Sequence, residues 1–573
     1  MLTNKKQRTS HRRMLLMALG LTFALSVIVA QLVRFQVMRH AELSQKASGQ
    51  RRREREVRQE RGYIADIHGH ILALDVVQWD ISASPPLVSD PEELADRLAD
   101  QLDMPKDKIL TLLVSDVPWV PIARHVDQQV GEAVADLQAS GLTCTPRPLR
   151  VYPESGLAAH AIGIVNDTGD GFYGVEGYHN QLLKGVAGKE QIEQDPGGEA
   201  IPIPSEFRTP PKAGSNLILT LDRNIQYIAE EELEKALSEY GAESGTVIIM
   251  NPRTGALLAI ANNPSYDPNE FAGTDPQLLA DPSVSSMWEP GSIFKIITWA
   301  AGLDSGIISP HTSFYDNGHM EVGGRVIRNW DREAYGRVTM LDGLVHSLNT
   351  VAAFISTSMG KDRFYTYLRR FGFDTLTGAD LASEGPGMMK RPGDSNWFPS
   401  ELGTNSFGQG IAVTPMQMVT AAAAVANRGV LMKPYIVHQF ITTDQNGERT
   451  VQVEPMIIRH AISQQSAKTL TDMLVEVIER GATKAQVPGY QVAGKTGTAQ
   501  VPTAYGYHPS ETIASFVGWA PAYDPQIIIL VKLNKPTASQ WGSQTAAPTF
   551  RAIAERLLVY LQIPPDEVRL AQH

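Results

Sequence analysis

The stretch Glu289-Pro290-Gly291-Ser292-Ile293-Phe294-Lys295 sets a hydroxyl and an amine three residues apart at the start of an apolar run, 296–301. Pro290 and Gly291 halt whatever precedes them, so the run predicts a helix with Ser292 in its first turn. Residues three apart share a helical face, which brings Lys295 beside Ser292. A serine hydroxyl is a weak nucleophile and needs a base; a lysine desolvated within the protein can lose its proton and serve as one. The free N–H groups of a helix N-terminus also suit a developing oxyanion. The chemistry this pattern offers is acyl transfer through a serine ester.

A plainer reading makes Ser292 a helix cap and Lys295 a solvated lysine. Ser-x-x-Lys arises about twice by chance in a chain of this length and composition, so it decides nothing alone. Lys295, however, sits among Phe294, Ile296 and Ile297, where a solvated lysine is out of place. Two further groups follow in order. Ser347-Leu348-Asn349 comes after a helical pattern at 341–346; its two polar side chains either share a turn facing a cleft or simply end a helix. Gly494-Lys495-Thr496-Gly497-Thr498 comes after a short strand pattern at 490–493. Glycines and short hydroxylated residues on a strand let a substrate backbone lie alongside, and Lys495 adds positive charge. A given tripeptide appears by chance in only about one chain in ten of this size, so the ordered set of three carries weight that no member has.

These groups need elements to hold them. Asp222 can cap a helix through Ile225, Ile228, Ala229 and Leu233. Residues 246–250, a turn at 251–255 and residues 257–260 predict strand, turn and strand. Residues 514–519 and 527–533 predict two more strands, and 549–561 an amphipathic closing helix. Strands at both ends with mostly helices between predict an α+β unit, one antiparallel sheet with a helical insertion. Upstream, 63–73 reads as a hairpin around Gly69, and 90–140 alternates helical patterns with short strands. The glycine-rich stretch 150–206 ends in Pro202, Pro204, Pro210 and Pro211, a domain boundary by composition. Residues 34–60 read as a helical or extended stalk, and the alternating charges of 51–61 as a solvated face.

The chain has 573 residues, 43% hydrophobic and 20% charged, which predicts several folded units and little disorder. A net charge of -11 argues against a nucleic-acid binder. The single cysteine, Cys144, excludes an intramolecular disulfide framework and a cysteine-rich metal site. Lys5, Lys6, Arg8, Arg12 and Arg13 precede an uncharged run at 14–33, whose 20 residues suffice to span a bilayer. Ala24-Leu25-Ser26 resembles a cleavage site but lies inside the run, which favours a retained anchor. Positive charge flanks both sides, so charge does not set orientation; a short tail inside and a long body outside is the simpler arrangement.

The order Ser-x-x-Lys, Ser-x-Asn, Lys-Thr-Gly is similar to the signature of penicillin-binding proteins and serine β-lactamases. The wider chain resembles the class B penicillin-binding proteins. Arg61-Gly62 with Asp66, Gly69 and Leu72-Ala73 looks like the start of their pedestal. Arg150-Val151-Tyr152-Pro153, Ala159-His160 with Gly163, and Gly174-Val175-Glu176-Gly177 look like its next landmarks. Phe407-Gly408-Gln409-Gly410 and Thr414-Pro415-Met416-Gln417 are similar to the segment approaching the active site. Ile293 departs from the threonine common after the nucleophile, which bears on packing more than chemistry.

The resemblance implies a tail (1–13), a transmembrane anchor (14–33), a stalk with an elongated dimerisation-type pedestal (34–210), and a transpeptidase domain with a helical subdomain (211–573). It implies a single-pass protein of the plasma membrane, with the catalytic domain outside the cytoplasm. The implied reaction is D,D-transpeptidation of peptidoglycan stem peptides, blocked covalently by β-lactams and needing neither cofactor nor metal. Ser292 would attack the penultimate D-Ala carbonyl with Lys295 as base. Ser347 would relay protons, and Asn349 would hold Lys295 or the substrate amide. Lys495 would supply positive potential, with Thr496 and Thr498 around Gly497 binding the terminal carboxylate. The N–H groups of Ser292 and Thr498 would form the oxyanion hole. A β-lactamase, a carboxypeptidase or a non-catalytic penicillin-binding sensor would share the motifs. An anchor and a ~200-residue extension fit a one-domain secreted hydrolase poorly, and 13 residues hold no cytoplasmic signalling domain. No segment is long enough for a glycosyltransferase, so an integral-membrane glycosyltransferase is the implied partner. His68 and His70 read as turn residues.

Overall fold

A computed structural model describes residues 3–43, 52–57, 59–193, 206–209, 212–444, 447–503 and 506–571. They fall into two compact bodies, one of 1–59 with 185–213 and one of 60–184 with 214–573. In the first body, the helix Thr3–Val33 continues into a π-helical turn, Arg34–Met38. Its segment Arg13–Met38 contains the expected span and is long and apolar enough to cross a membrane. Strands Arg52–Val57, Gly188–Glu193 and Glu206–Thr209 form an antiparallel sheet in the same body. The extended form expected for the stalk is thus found at 52–57, while 44–51 and the prolines 202, 204, 210 and 211 lie outside the described residues.

The second body is built on five strands: β1 (Ser244–Met250), β2 (Leu257–Asn263), β3 (Ala493–Thr503), β4 (Gly506–Ala520) and β5 (Ile527–Asn534). Their order is β2-β1-β5-β4-β3, every pair antiparallel. Alternate side chains serve two cores. Val247, Ile249, Phe516, Ile529 and Val531 face the helices Arg223–Tyr240 and Ala546–Tyr560. Ile248, Met250, Val517, Ile528 and Leu530 face the larger core of the helical subdomain. Burial of both faces is why 527–531 reads as an unbroken apolar run. Asp222 caps the first helix as expected, accepting N–H bonds from Asn224 at 2.8 Å and Ile225 at 3.2 Å.

A second sheet of seven strands runs Gly447–Gln452, Val437–Asp444, Asn216–Leu219, Ile64–Ala65, Ile71–Ala83 and Val120–Asp127, with Leu142–Val151 also paired to Ile71–Ala83. The expected hairpin around Gly69 is its Ile64–Ala65 and Ile71–Ala83 pair. His68 and His70 sit on that turn, against Asp222 and Asp66 at 3.0 Å each.

Arg61 corrects one expectation. It closes the alternating charge run read as a solvated face, yet only 7% of it is exposed. Its Nε donates to Glu176 at 2.6 Å and its Nη1 to Asn180 at 2.8 Å. Arg150 donates to the other Glu176 oxygen at 2.7 Å and to Asp75 at 3.1 Å. Local charge alternation carries no information about a carboxylate 115 residues away. The cluster ties the hairpin, the strand Leu142–Val151 and the helix Gly174–Tyr178 together. Because Arg61 is buried with Glu176 as its carboxylate partner, E176Q would strand its charge and should cost about 3–5 kcal/mol in denaturant titration; a loss under about 1 kcal/mol would contradict this.

Candidate active site

Ser292 lies on a 3-10 turn, Gly291–Phe294, that leads directly into the α-helix Lys295–Asp304. The segment reaches β3 by close backbone approach. Gly291 has φ +56°, and a Cβ there would lie 3.2 Å from the Thr498 carbonyl oxygen. A Cβ on Gly497 would meet Ser515 Oγ at 2.4 Å and Ile293 Cγ2 at 3.0 Å. Both positions therefore favour glycine, and the turn bearing Ser292 rests against the Lys-Thr-Gly strand.

The third wall is the link between the helices Met340–Val345 and Asn349–Met359. Ser347 there has φ +56°, a left-handed conformation that is uncommon for serine and gathers at functional sites. The turn aims both its carbonyl and its hydroxyl at Lys295.

Lys295 is fully buried. Its Nζ lies 2.6 Å from Ser347 O, 2.8 Å from Asn349 Oδ1, 3.1 Å from Ser292 Oγ and 3.2 Å from Ser347 Oγ. The two nearest atoms can only accept, so each takes a proton from the nitrogen. A neutral amine has two such protons, and its lone pair is then left to the two hydroxyls. Burial holds Lys295 well below the usual lysine range, and the charge of Lys495 adds to the effect. Asn349 Oδ1 accepts from Lys295, one of the two partners expected for it, and its Nδ2 donates to Arg328 O at 3.0 Å.

Lys495 is 1% exposed, forms no ion pair with a described carboxylate, and is pushed by burial down to about 7. Thr496 and Thr498 are half-buried, and Thr498 Oγ1 accepts the Gly542 N–H at 3.1 Å. Ser292, Lys295, Ser347, Asn349 and the 495–498 strand thus line one cleft.

Several residues around it had no motif to announce them. Glu289 accepts from Gly410 N and Tyr507 OH, both at 2.9 Å, which explains the placement of the 407–410 segment beside Ser292. Trp330 donates to His346 O at 3.3 Å and meets Trp541 edge-on at 5.1 Å, joining the Ser347 wall to the loop beside Thr498. Trp541 lies in a polar stretch with no periodicity to single it out.

The buried lysines carry a measurable penalty. Unfolded, Lys495 titrates near 10.5 and folded near 7. Below about 7 it is charged in both states and the penalty is complete; above that, the folded state binds fewer protons and stability rises with pH. K495M should therefore melt above the parent protein at pH 7, and the gap should narrow as pH approaches 10. A gap constant across that range in thermal denaturation would contradict the burial of Lys495.

Comparison with known proteins agrees with this geometry. The family described as the penicillin binding protein transpeptidase domain matches residues 245–555, and the penicillin-binding protein dimerisation domain matches 56–219. Stage V sporulation protein D of Bacillus subtilis is 33% identical, with 88% of this chain and 79% of that protein aligned. A probable peptidoglycan D,D-transpeptidase of Pseudomonas aeruginosa, PbpC, is 30% identical over 98% of this chain and 97% of its own. Among solved structures, penicillin binding protein 3 of Mycobacterium tuberculosis complexed with aztreonam has a TM-score of 0.70 at 26% identity, covering 89% of this chain and 98% of that one. A dimerisation domain followed by a transpeptidase domain, with a serine, a buried lysine and a Lys-Thr-Gly strand meeting in one cleft, makes this chain a member of the class B penicillin-binding proteins.

Proposed function

We propose that the protein is a peptidoglycan D,D-transpeptidase in which Ser292 carries the acyl group. The observation that supports this most is the buried Lys295 Nζ, which lies within 3.2 Å of Ser347 O, Asn349 Oδ1, Ser292 Oγ and Ser347 Oγ at once. Lys295 takes the Ser292 proton as Oγ attacks the penultimate D-Ala carbonyl. The N–H groups of Ser292 and Thr498 receive the oxyanion. Ser347 Oγ, 3.2 Å from Lys295 Nζ, passes a proton to the departing D-alanine amine. An amine from a second stem peptide then attacks the ester and restores Ser292. The terminal carboxylate sits against Thr496, Thr498 and Lys495. Its arrival raises the pKa of Lys495, so the substrate restores the charge that burial weakens.

The working parts follow the sequence: a tail at 1–13, an anchor at 14–33, a stalk and pedestal at 34–210, and the transpeptidase at 211–573. Stem peptides lie outside the cytoplasm, which places the body outside the plasma membrane and the tail inside. Benzylpenicillin should form a stable ester mapped by mass spectrometry to Ser292. K295R should nearly abolish acylation, because guanidinium cannot act as a base, while K495R keeps charge and retains more. An adduct elsewhere, or equal losses in the two variants, would contradict these roles.

A transpeptidase also needs fresh glycan strands, and coupling to an integral-membrane glycosyltransferase would supply them at high effective concentration. The 14–33 helix presents Gly20, Thr22, Ser26 and Gln31 for that contact. Thr22 and Ser26 already bond carbonyls one turn back at 2.7 and 2.8 Å, so small size rather than free hydrogen bonding would make the fit. Replacing 14–33 with an unrelated span should leave penicillin acylation intact but weaken co-purification with the polymerase. Unchanged co-purification would reduce the helix to a tether.

A further inference from the structure

A third buried lysine is not used by this chemistry. Lys532 is 4% exposed and interrupts the apolar run of β5 on the face that carries the active site. Among the described residues it has no carboxylate partner. Its Nζ donates to Asn534 Oδ1 at 2.8 Å and stands 5.5 Å from the centre of the Trp288 ring, within cation–π range. Burial pushes it down to about 8, so it remains largely charged at neutral pH.

Two features give that charge a setting. Lys532 is in register with Ser515 on β4, and Ser515 with Gly497 on β3. On its other side it is in register with Thr246, which donates to Asn262 Oδ1 at 2.8 Å, and Asn262 donates to Asp281 at 3.0 Å. A polar file therefore crosses this face of the sheet from Asp281 to Gly497 of the Lys-Thr-Gly strand. Above it runs the segment 288–291. Trp288 packs over Lys532 on β5, Glu289 is held by Gly410 and Tyr507, and Gly291 touches Thr498 on β3. The segment is a strap across β5, β4 and β3, and Ser292 is the next residue.

We infer that Lys532 is a positioning residue for acyl transfer: its buried ammonium holds the Trp288 ring, and Trp288 fixes the strap that delivers Ser292 to the Lys-Thr-Gly strand. An unpaired buried ammonium is expensive, and a methionine of similar length would fill the same space more stably. Lys532 thus lowers stability in return for orientation at the nucleophile.

The inference rests on Ser292 being the acylated residue, so acylation of the parent protein by a fluorescent penicillin is measured first. If the parent does not react, the Ser292 reading falls. If it reacts, K532M should acylate about 10-fold more slowly while its melting temperature at pH 7 is unchanged or higher. W288L should slow acylation similarly, W288F should stay within about threefold of the parent because it keeps an aromatic face, and W288L/K532M should be no slower than W288L. Unchanged acylation in K532M overturns the inference, as does a parallel loss of melting temperature and rate. Equal losses in W288F and W288L, or additive losses in the double variant, overturn the route through Trp288 even where K532M folds poorly.

Discussion

In the reaction we propose, Lys295 accepts a proton and so must already have lost one, and its surroundings favour that state. Solvent is excluded from it, a second cation stands nearby, and the two acceptors closest to its nitrogen take the two protons of the neutral form. Each condition is met by a different part of the chain. The helix 295–304 buries the stem, the left-handed turn at Ser347 turns a carbonyl inward, and the strand at 493–503 brings Lys495. Loosening any of these would let water in and return the amine to its ordinary basicity.

The same constraint accounts for the glycines at the seam. The turn bearing Ser292 approaches the strand edge more closely than two side chains would readily allow, and Gly291 and Gly497 make room for it. The sheet behind them is largely apolar on both faces, and Lys532, Thr246 and Asn262 are exceptions on the face toward the helical subdomain. Stability and chemistry pull in opposite directions on this face, and the surrounding apolar core on both sides of the sheet holds the difference.

Much of this was legible in the sequence, for definable reasons. Ser292 and Lys295 are paired by helical spacing alone, and the apolar neighbours of Lys295 already pointed to its burial. The sheet was visible as short β-rich runs at the two ends of the domain, and Asp222 declared its helix. What stayed hidden depends on partners far along the chain or on backbone geometry. Arg61 reads as one more surface charge until Glu176 is brought to it. Nothing about Ser347-Leu348-Asn349 announces a left-handed residue. Lys532 hides inside a convincing strand, because periodicity assigns the strand without saying what the odd charge is for, and Trp541 belongs to a loop with no pattern at all.

The strand pairing has a consequence for how the molecule comes into being. β1 lies directly beside β5, and Asn534 hydrogen-bonds to Ser244 across 290 residues of chain. A ribosome that has completed β1, the serine turn and most of the helical subdomain has still not made three of the five strands. The early strands must wait with an open edge while the helices between them fold, which makes their region slow to mature and open to mispairing until β5 is made. Ser292 is synthesised well before the strand containing Lys495, with the whole helical subdomain between them. A chain interrupted before that strand would carry Ser292 and Lys295 with no strand to meet them, so the site assembles only in molecules whose synthesis has passed β3.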